Sequence, residues 1–275
     1  MCGKRSHQIN MEKVLAKSKE LTLKTGEYNV SVSSKSLNVI NIKTEVNSNC
    51  YILLDDLSNI SELNITILEG SFVELAMILD KELNNIKINI DVLRQSSLEA
   101  YVAEFAKNQL DFNCVINLKE EGANCYFKLA SLSANQDSKN INVSVNHLVA
   151  KTYGKVDNYG VCKDLGKLLF AGTSHIVNGA IKSKTEQNAK IMVFDEASNA
   201  IAKPILKIDE NDIEASHAAV VGKINDEHLF YLTSRGISET EAKELITFGY
   251  LKPILLGFND EKNKDYISSL IERRM

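Results

Sequence analysis

Two stretches, Leu63-Asn-Ile-Thr-Ile-Leu-Glu69 and Ile86-Lys-Ile-Asn-Ile-Asp-Val92, alternate apolar with polar residues. Period-2 alternation rich in Ile and Val predicts β-strands with one buried face. Three further runs of this kind are Leu37–Lys43, Leu110–Leu118 and Ile141–Val145. The five runs start at residues 37, 63, 86, 110 and 141, so the steps between them are 26, 23, 24 and 31 residues.

A second series of apolar runs lies between the first. Its members are Cys50–Leu54, Phe72–Leu79, Leu98–Phe105 and Cys125–Leu129. A repeat near 25 residues, with more than one strand in each repeat and no helical pattern between, predicts a β-solenoid core over residues 27–224. The unequal steps leave an antiparallel meander or sandwich open, although 2 Pro and 13 Gly are few for a fold full of tight turns.

The two ends of the chain have helical patterns. Apolar residues at Met11, Val14, Leu15 and Leu21 predict a short N-terminal helix over residues 9–24, within a helical segment 1–26. The stretch 225–275 is predicted to be a C-terminal α-helical module. There, Gly236 ends a helix that starts at residue 226, residues 238–241 (Ser-Glu-Thr-Glu) form a capping box, and residues 260–275 form a last short helix.

Composition excludes several function classes. The net charge of −4 disfavours a nucleic-acid or membrane-surface binder. We expect a cytoplasmic protein, because no run reaches the ~18 apolar residues of a membrane span and residues 1–12 lack the apolar core of a secretory signal. The 5 Cys form no CxxC pair, so they are expected to be reduced and mostly buried. No phosphate-binding glycine loop is present, so any ATPase activity must belong to another chain.

The stretch from Pro204 to Ala242 carries the most specific signal. It reads Pro-Ile-Leu-Lys-Ile over 204–208, Asp-Ile-Glu-Ala-Ser-His-Ala-Ala-Val-Val-Gly over 212–222, and Leu-Phe-Tyr-Leu-Thr-Ser-Arg-Gly-Ile over 229–237. This resembles the C-terminal signature of the SufB/SufD family of iron–sulfur cluster assembly scaffolds. The similarity extends over roughly residues 165–255, whereas the N-terminal half shares only a strand-rich, proline-poor character.

The resemblance implies a right-handed parallel β-helix in a complex with a SufC-like ABC-type ATPase, working beside a SufB-like subunit or a second copy of this chain. The chain itself would be a non-catalytic scaffold. In the family the C-terminal helical module docks on the ATPase. The residues of this chain that would carry that contact are Leu229, Phe230, Leu232, Arg235, Gly236 and Ile237.

The resemblance also suggests a transient iron–sulfur cluster at the subunit interface. This chain has Asn188 where the SufB branch carries a cysteine, and His217-Ala218 where SufB has a His-Glu pair, so it follows the SufD branch. The SufD histidine is proposed as a cluster ligand, which makes His217 the first candidate; Cys162 and His175 are weaker ones, since thiolate and imidazole both ligate iron. Each has a simpler explanation: a hydrogen-bonded histidine at a strand seam, or a packed cysteine. Reduced flavin in the complex is a further expectation.

Three alternatives accompany this interpretation. Because the chain is short for a SufD protein, it could be the homodimeric scaffold of a minimal two-component SUF-like system. It could also be a metal-free β-solenoid that only binds protein. A carbohydrate-active β-helix enzyme is disfavoured, since neither clustered acidic and basic residues on one face nor a secretory signal is visible.

Overall fold

The computed structural model describes residues 11–15, 20–31, 38–57, 59–81, 85–107 and 109–275. Its strands in the first half are β1 (Glu12–Leu15), β2 (Glu20–Leu23), β3 (Gly26–Ser31), β4 (Val39–Thr44), β5 (Asn49–Leu54), β6 (Glu62–Ile67), β7 (Phe72–Leu79), β8 (Asn85–Val92) and β9 (Ser97–Glu104). Those of the second half are β10 (Gln109–Leu118), β11 (Asn124–Ser133), β12 (Ser138–His147), β13 (Tyr153–Cys162), β14 (Lys167–Ile176), β15 (Ser183–Val193), β16 (Asn199–Ile208) and β17 (Ile213–Lys223).

Successive strands alternate between two parallel sheets. The odd-numbered strands β1 to β17 form one sheet in sequence order, and the even-numbered strands β2 to β16 form the other. Each strand therefore pairs with the strand one coil earlier and one coil later, as in the parallel register of Ile88 with Cys114 and of Cys114 with Val143. The predicted parallel β-helix is thus confirmed, and the meander and sandwich alternatives are wrong.

Alternation along the strands fills the interior between the sheets. In β8 and β10 the inward positions are all apolar, and their side chains join one core cluster with those of the facing sheet. The outward positions of the even-numbered sheet carry amide ladders, such as Asn89 Nδ2 donating to Asn64 Oδ1 over 2.7 Å. One burial pattern repeated coil after coil therefore explains both the strand period and the 25-residue step.

Turns between coils stack on one another. Asn47, Gln95 and Lys151 share a left-handed backbone conformation with Gly70 and Gly122 at the same corner of successive coils. The amide of each turn donates to a carbonyl of the next coil, as from Asn47 N to Glu69 O over 2.8 Å. Amide and long polar side chains thus occupy turn positions for which glycine is the usual choice, which explains how so few glycines suffice.

The predicted N-terminal helix is wrong within the described residues. Residues 12–15 and 20–23 are strands β1 and β2, which pair with β3 and β4. Leu21 packs against the core and Leu23 is buried in it, a spacing of two that fits a strand and not a helix. The hydrogen-bonding edges of β3 and β4 add tertiary pairing that outweighs the weak local helical preference.

Three helices follow β17, as predicted for the C-terminal module. They are α1 (Asp226–Ser234), α2 (Glu239–Leu251) and α3 (Glu261–Glu272), with a 3₁₀ segment Lys252–Gly257 between the last two. Ser238 and Glu241 form the predicted capping box, and Gly236 takes the left-handed conformation after α1. Leu251, Ile254 and Phe258 pack on the outer face of the odd-numbered sheet in a second apolar cluster.

The division into units at 26/27 and 224/225 stays a prediction. No helix of the described ranges is long and apolar enough to cross a membrane.

Candidate functional site

The solenoid ends in two edge strands, β16 and β17, each of which pairs on one side only. Apolar side chains stand exposed on them, among them Ile205 (43%) and Val220 (54%). The whole of β17 from Glu214 onward is exposed or half-buried. Unpaired backbone N–H and C=O groups beside exposed apolar side chains make an edge that another chain can cover.

His217 lies near the middle of β17 and is exposed. Its register partner is Gln187 on β15, which is buried. Residues paired across parallel strands project from the same face. The imidazole of His217 therefore continues an inward-facing row at the open end of the solenoid, where it is accessible to a molecule that covers this end.

His175 is placed elsewhere, on the outer face of the even-numbered sheet. Its Nε2 lies 2.7 Å from Oδ2 of Asp209, and this hydrogen bond lowers the pKa of the Asp209 carboxyl. Lys207 also lies within 4.0 Å of the same carboxylate. The His175 side chain is thus engaged by an acidic neighbour at the surface and does not share the inward row of His217.

Cys162 is fully buried at the end of β13. Its Sγ lies 3.2 Å from the carbonyl oxygen of Gly166, and burial raises the pKa of the thiol to about 11. Cys162 pairs in register with Val193 on β15, and Val193 pairs with Lys223 on β17. Lys223 lies six residues beyond His217. Six residues of strand span roughly 20 Å, so the structure does not bring Cys162 and His217 together.

No group of three or more His, Cys, Asp or Glu side chains with metal-binding geometry occurs within the residues that the structure describes. The described cysteines Cys50, Cys114, Cys125 and Cys162 are free and buried, as expected for reduced thiols. A cluster or metal ion at the open end would take an isolated ligand from this chain and the others from a covering molecule.

A buried histidine that no motif indicates lies further inside. His147, on the inner row of β12, is fully buried, with Nδ1 2.8 Å from Oγ1 of Thr152. Burial lowers its pKa to about 4, so the imidazole is neutral at physiological pH. The signal that could have found it is the alternation of residues 138–147, which places position 147 on the same face as Ile141, Val143 and Val145.

The helical module presents a second exposed apolar surface. Helix α1 has no buried residue, and Phe230 is 73% exposed. Leu229, Leu232 and Ile237 are half-buried, whereas Arg235 and Gly236 are exposed. Tyr231, Leu245 and Leu256 add exposed apolar area that the motif residues alone do not reveal. A helix whose apolar residues stay uncovered is typical of a docking element.

Arg235 closes α1 and stacks on it. Its guanidinium carbon lies 5.2 Å from the ring centroid of Tyr231, and its backbone N–H donates to Leu232 O. The side chain is thereby held beside the exposed aromatic ring of α1. A stacked, exposed arginine can offer bidentate hydrogen bonds to a carboxylate of another protein.

Fold and surfaces together define a parallel β-solenoid protein with an exposed sheet edge at one end and an exposed helix beyond it. The chain belongs to the family described as SUF system FeS cluster assembly, SufBD core domain, whose model matches residues 33–250. The family match therefore reaches well upstream of the C-terminal signature and spans most of the solenoid.

Curated relatives agree with this membership. The chain is 33% identical over 159 residues to the iron-sulfur cluster assembly protein SufD of Bacillus subtilis (strain 168), which is 58% of this chain and 36% of that protein. It is 30% identical over 115 residues to SufD of Escherichia coli (strain K12), covering 42% and 27% of the two chains. Identity to the B. subtilis iron-sulfur cluster assembly protein SufB is 30% over 136 residues, covering 50% and 29%. The matched part is thus about a third of each relative's length, and a SufD-like character is supported.

Proposed function

We propose that the chain is a non-catalytic scaffold subunit of a SUF-type iron–sulfur cluster assembly complex, in which the cluster is cargo. The observation that supports this most directly is the position of His217. It is an exposed imidazole on the edge strand of a SufBD-family solenoid. Neutral imidazole ligates iron, and a cluster held between subunits needs few ligands from each.

His217 is the preferred cluster ligand among the three candidates. His175 is paired with Asp209, and the Cys162 thiol is buried with a raised pKa that disfavours the thiolate needed for ligation. The covering molecule would be a SufB-like subunit or a second copy of this chain, docked on β16 and β17. The exposed apolar side chains of these strands support such a contact.

Anaerobic reconstitution with iron and sulfide tests the ligand role. His217→Ala is expected to reduce iron and sulfide content and the visible absorbance of the assembled complex to background. His175→Ala is the matched control, because His175 is engaged by Asp209 on the outer face of the even-numbered sheet, and it should leave both unchanged. Full cluster occupancy in His217→Ala would remove the ligand role and favour the metal-free protein-binding module.

Docking of a SufC-like ABC-type ATPase is proposed for α1 and the turn after it. Phe230→Ser should abolish co-purification with the ATPase while leaving the fold intact, because this side chain packs against little within the chain. Leu165→Ser is a matched control, since Leu165 is a comparably exposed apolar residue on the solenoid (55%). Equal ATPase recovery with both variants would contradict docking at α1.

The self-associating alternative remains a second candidate, because the exposed β16–β17 end requires only a complementary edge. Expression of the chain with the ATPase alone, without a SufB-like protein, distinguishes the two. A homodimeric minimal system should still retain a cluster under these conditions, whereas a SufD-like subunit should not. Retention of flavin absorbance after desalting of the reduced complex tests the flavin expectation.

A further inference from the structure

The interior of the solenoid changes in character close to its open end. The inward rows of β8 and β10 are entirely apolar, whereas β13, β14 and β15 carry Asn158, Ser174, Thr185 and Gln187 on their buried faces. Burial of a polar side chain costs free energy unless the group finds a hydrogen-bond partner. A polar coil placed directly below the edge strands therefore calls for a functional explanation.

Most of these polar groups satisfy one another. Thr185 Oγ1 donates to Ser174 Oγ over 2.9 Å, and Gln187 Nε2 donates to the same oxygen over 2.6 Å. The carboxamide of Gln187 is thus fixed across the interior by its nitrogen, which leaves its oxygen as an acceptor. Asn158 differs: it is 5% exposed, and its Oδ1 has no hydrogen-bond partner among the described residues.

The unpartnered oxygen belongs to a residue that lines a small cavity, which we call the end chamber. The chamber has a volume of about 10 Å³. Its walls include Val143, Val156, Asn158, Phe170, Gln187 and Pro204. A volume of this size admits one water molecule, and polar cavities in proteins are normally hydrated. The chamber therefore has both the room and an unmet acceptor for one small hydrogen-bond donor.

The end chamber lies beneath His217, one strand further into the solenoid. Gln187, which lines the chamber, is the register partner of His217, and both belong to the same inward row. Adjacent strands are ~4.8 Å apart, so Gln187 and His217 are neighbours on the same face of the sheet. Histidine ligands of metals are usually oriented by a hydrogen bond to their second ring nitrogen.

We infer that the end chamber holds one buried water molecule bound to Asn158 Oδ1 and the Gln187 carboxamide, and that Gln187 is a positioning residue for His217. Ser174 and Thr185 keep the carboxamide in place, and the water completes the hydrogen bonding beneath it. The inference of the water site depends only on the cavity and on the unpartnered Oδ1 of Asn158. The positioning role rests on the proposed function of His217.

A high-resolution crystal structure tests the water site. It should show a solvent peak within hydrogen-bond distance of Asn158 Oδ1, and the peak should vanish in Asn158→Leu. In solution, nuclear Overhauser contacts from a long-lived water to the methyl groups of Val143 and Val156 should be present and should be lost in the same variant. A dry chamber in both experiments would overturn the inference.

The positioning role is tested by titrating Co²⁺ anaerobically into the assembled complex, with the ligand-field spectrum as readout. Gln187→Leu should weaken Co²⁺ binding about 10-fold or more, the usual effect of removing an outer-shell partner. Gln187→Glu should retain affinity, because a carboxylate oxygen can accept the same hydrogen bond. Gln109→Leu, the same substitution at an exposed position on β10, is the control.

The outcomes separate the two claims. Wild-type Co²⁺ affinity in Gln187→Leu, with loss in His217→Ala, would overturn positioning and leave the proposed function intact. Wild-type affinity in His217→Ala would remove the ligand role and with it the positioning. In either case, the presence or absence of a solvent peak at Asn158 Oδ1 tests the water site independently of the metal titrations.

Discussion

At the scale of single residues, the charge state of His147 links the solenoid interior to pH. Burial lowers the pKa of this histidine from 6.5 to about 4. The unfolded state therefore binds a proton at a higher pH than the folded state, so stability is complete above about pH 6.5 and falls as the pH drops toward 4. Protonation of His147 in the unfolded state should lower the free energy of unfolding by about 2–3 kcal/mol between pH 7 and pH 4.5.

Urea unfolding at the two pH values measures this effect. His147→Gln should show a smaller loss of unfolding free energy on acidification than the wild-type protein. His228→Gln, at an exposed position on α1, should keep the wild-type loss. An unchanged pH dependence in His147→Gln would show that other groups account for the acid sensitivity.

Lys139 and Glu104 form a buried ion pair that a sequence pattern does not reveal. Lys139 Nζ lies 2.8 Å from both carboxylate oxygens of Glu104 and 2.7 Å from Leu132 O, and both side chains are buried. Removal of one partner leaves the other charge buried and unpaired, so Lys139→Met should cost about 3–5 kcal/mol in urea unfolding. The double variant Lys139→Met/Glu104→Gln should recover part of that loss.

The matched control for this pair is Lys264→Met, which breaks the surface pair of Lys264 with Glu261. Exposed pairs contribute roughly 0–1 kcal/mol, so this variant should unfold almost as the wild-type protein does. Equal effects of Lys139→Met and Lys264→Met would mean that the buried pair is hydrated or neutral in solution.

The residue scale also marks the limit of sequence-based prediction. The C-terminal signature indicated His217 and the residues of α1, because a specific pattern accompanies them. Lys139, His147 and Asn158 carry no motif; the alternation of residues 138–147 indicates the inner face for Lys139 and His147, but it does not reveal the groups that they contact there. Glu104, the partner of Lys139, lies 35 residues away in the sequence, and only the coil stacking brings the two together.

At the scale of elements, α3 is attached to the solenoid by a buried charge contact. Arg274, which follows α3, pairs with Asp137, and its Nη2 also donates to Leu132 O over 3.2 Å. Both charged side chains are almost fully buried. Arg274→Met should therefore cost about 3 kcal/mol and loosen α3, because Asp137 would keep a buried charge without its guanidinium partner.

Hydrogen exchange of the α3 amides (Glu261–Glu272) measures the loosening. Protection should drop in Arg274→Met, while the amides of β8 to β12 stay protected. Arg273→Met is the control, since Arg273 is exposed, stacks on Tyr266 and donates to Ser269 O, contacts that stay within α3 and do not reach the solenoid. Similar exchange in both variants would show that apolar packing alone holds α3.

Element type followed from sequence wherever the hydrophobic period was repeated. Nine runs matched strands β4 to β12, because each strand has one buried face and the pattern recurs in every coil. At the N-terminus the pattern is short: Met11, Val14 and Leu15 have a helical spacing, whereas Leu21 and Leu23 have that of a strand. There the pairing with β3 and β4, which no local pattern encodes, determines the strand.

At the scale of the whole molecule, the edge strand β17 is long and little protected against association, whereas its neighbour β16 carries Pro204 and two lysines. Natural edge strands are usually guarded by charged residues, prolines or short length. In β17, the eight residues Ala215–Gly222 contain neither a proline nor an acidic or lysine side chain, and the strand is 11 residues long. An uncovered edge of this kind would promote aggregation, which is an argument for the subunit contact proposed at this end.

A charge introduced into this edge should prevent the association. Val220→Lys places an ammonium group on an exposed outer position of the edge strand β17, where the folded monomer tolerates it and where lysine is a usual device against edge-to-edge pairing. Light scattering after size exclusion should then show the mass of a single chain, or loss of the co-purified SufB-like subunit. Val46→Lys is the matched control, because Val46 is comparably exposed in the turn between β4 and β5 and should leave assembly intact. If Val220→Lys assembles as the wild-type protein does, the subunit contact lies elsewhere, and His217 would then face solvent rather than a neighbouring chain.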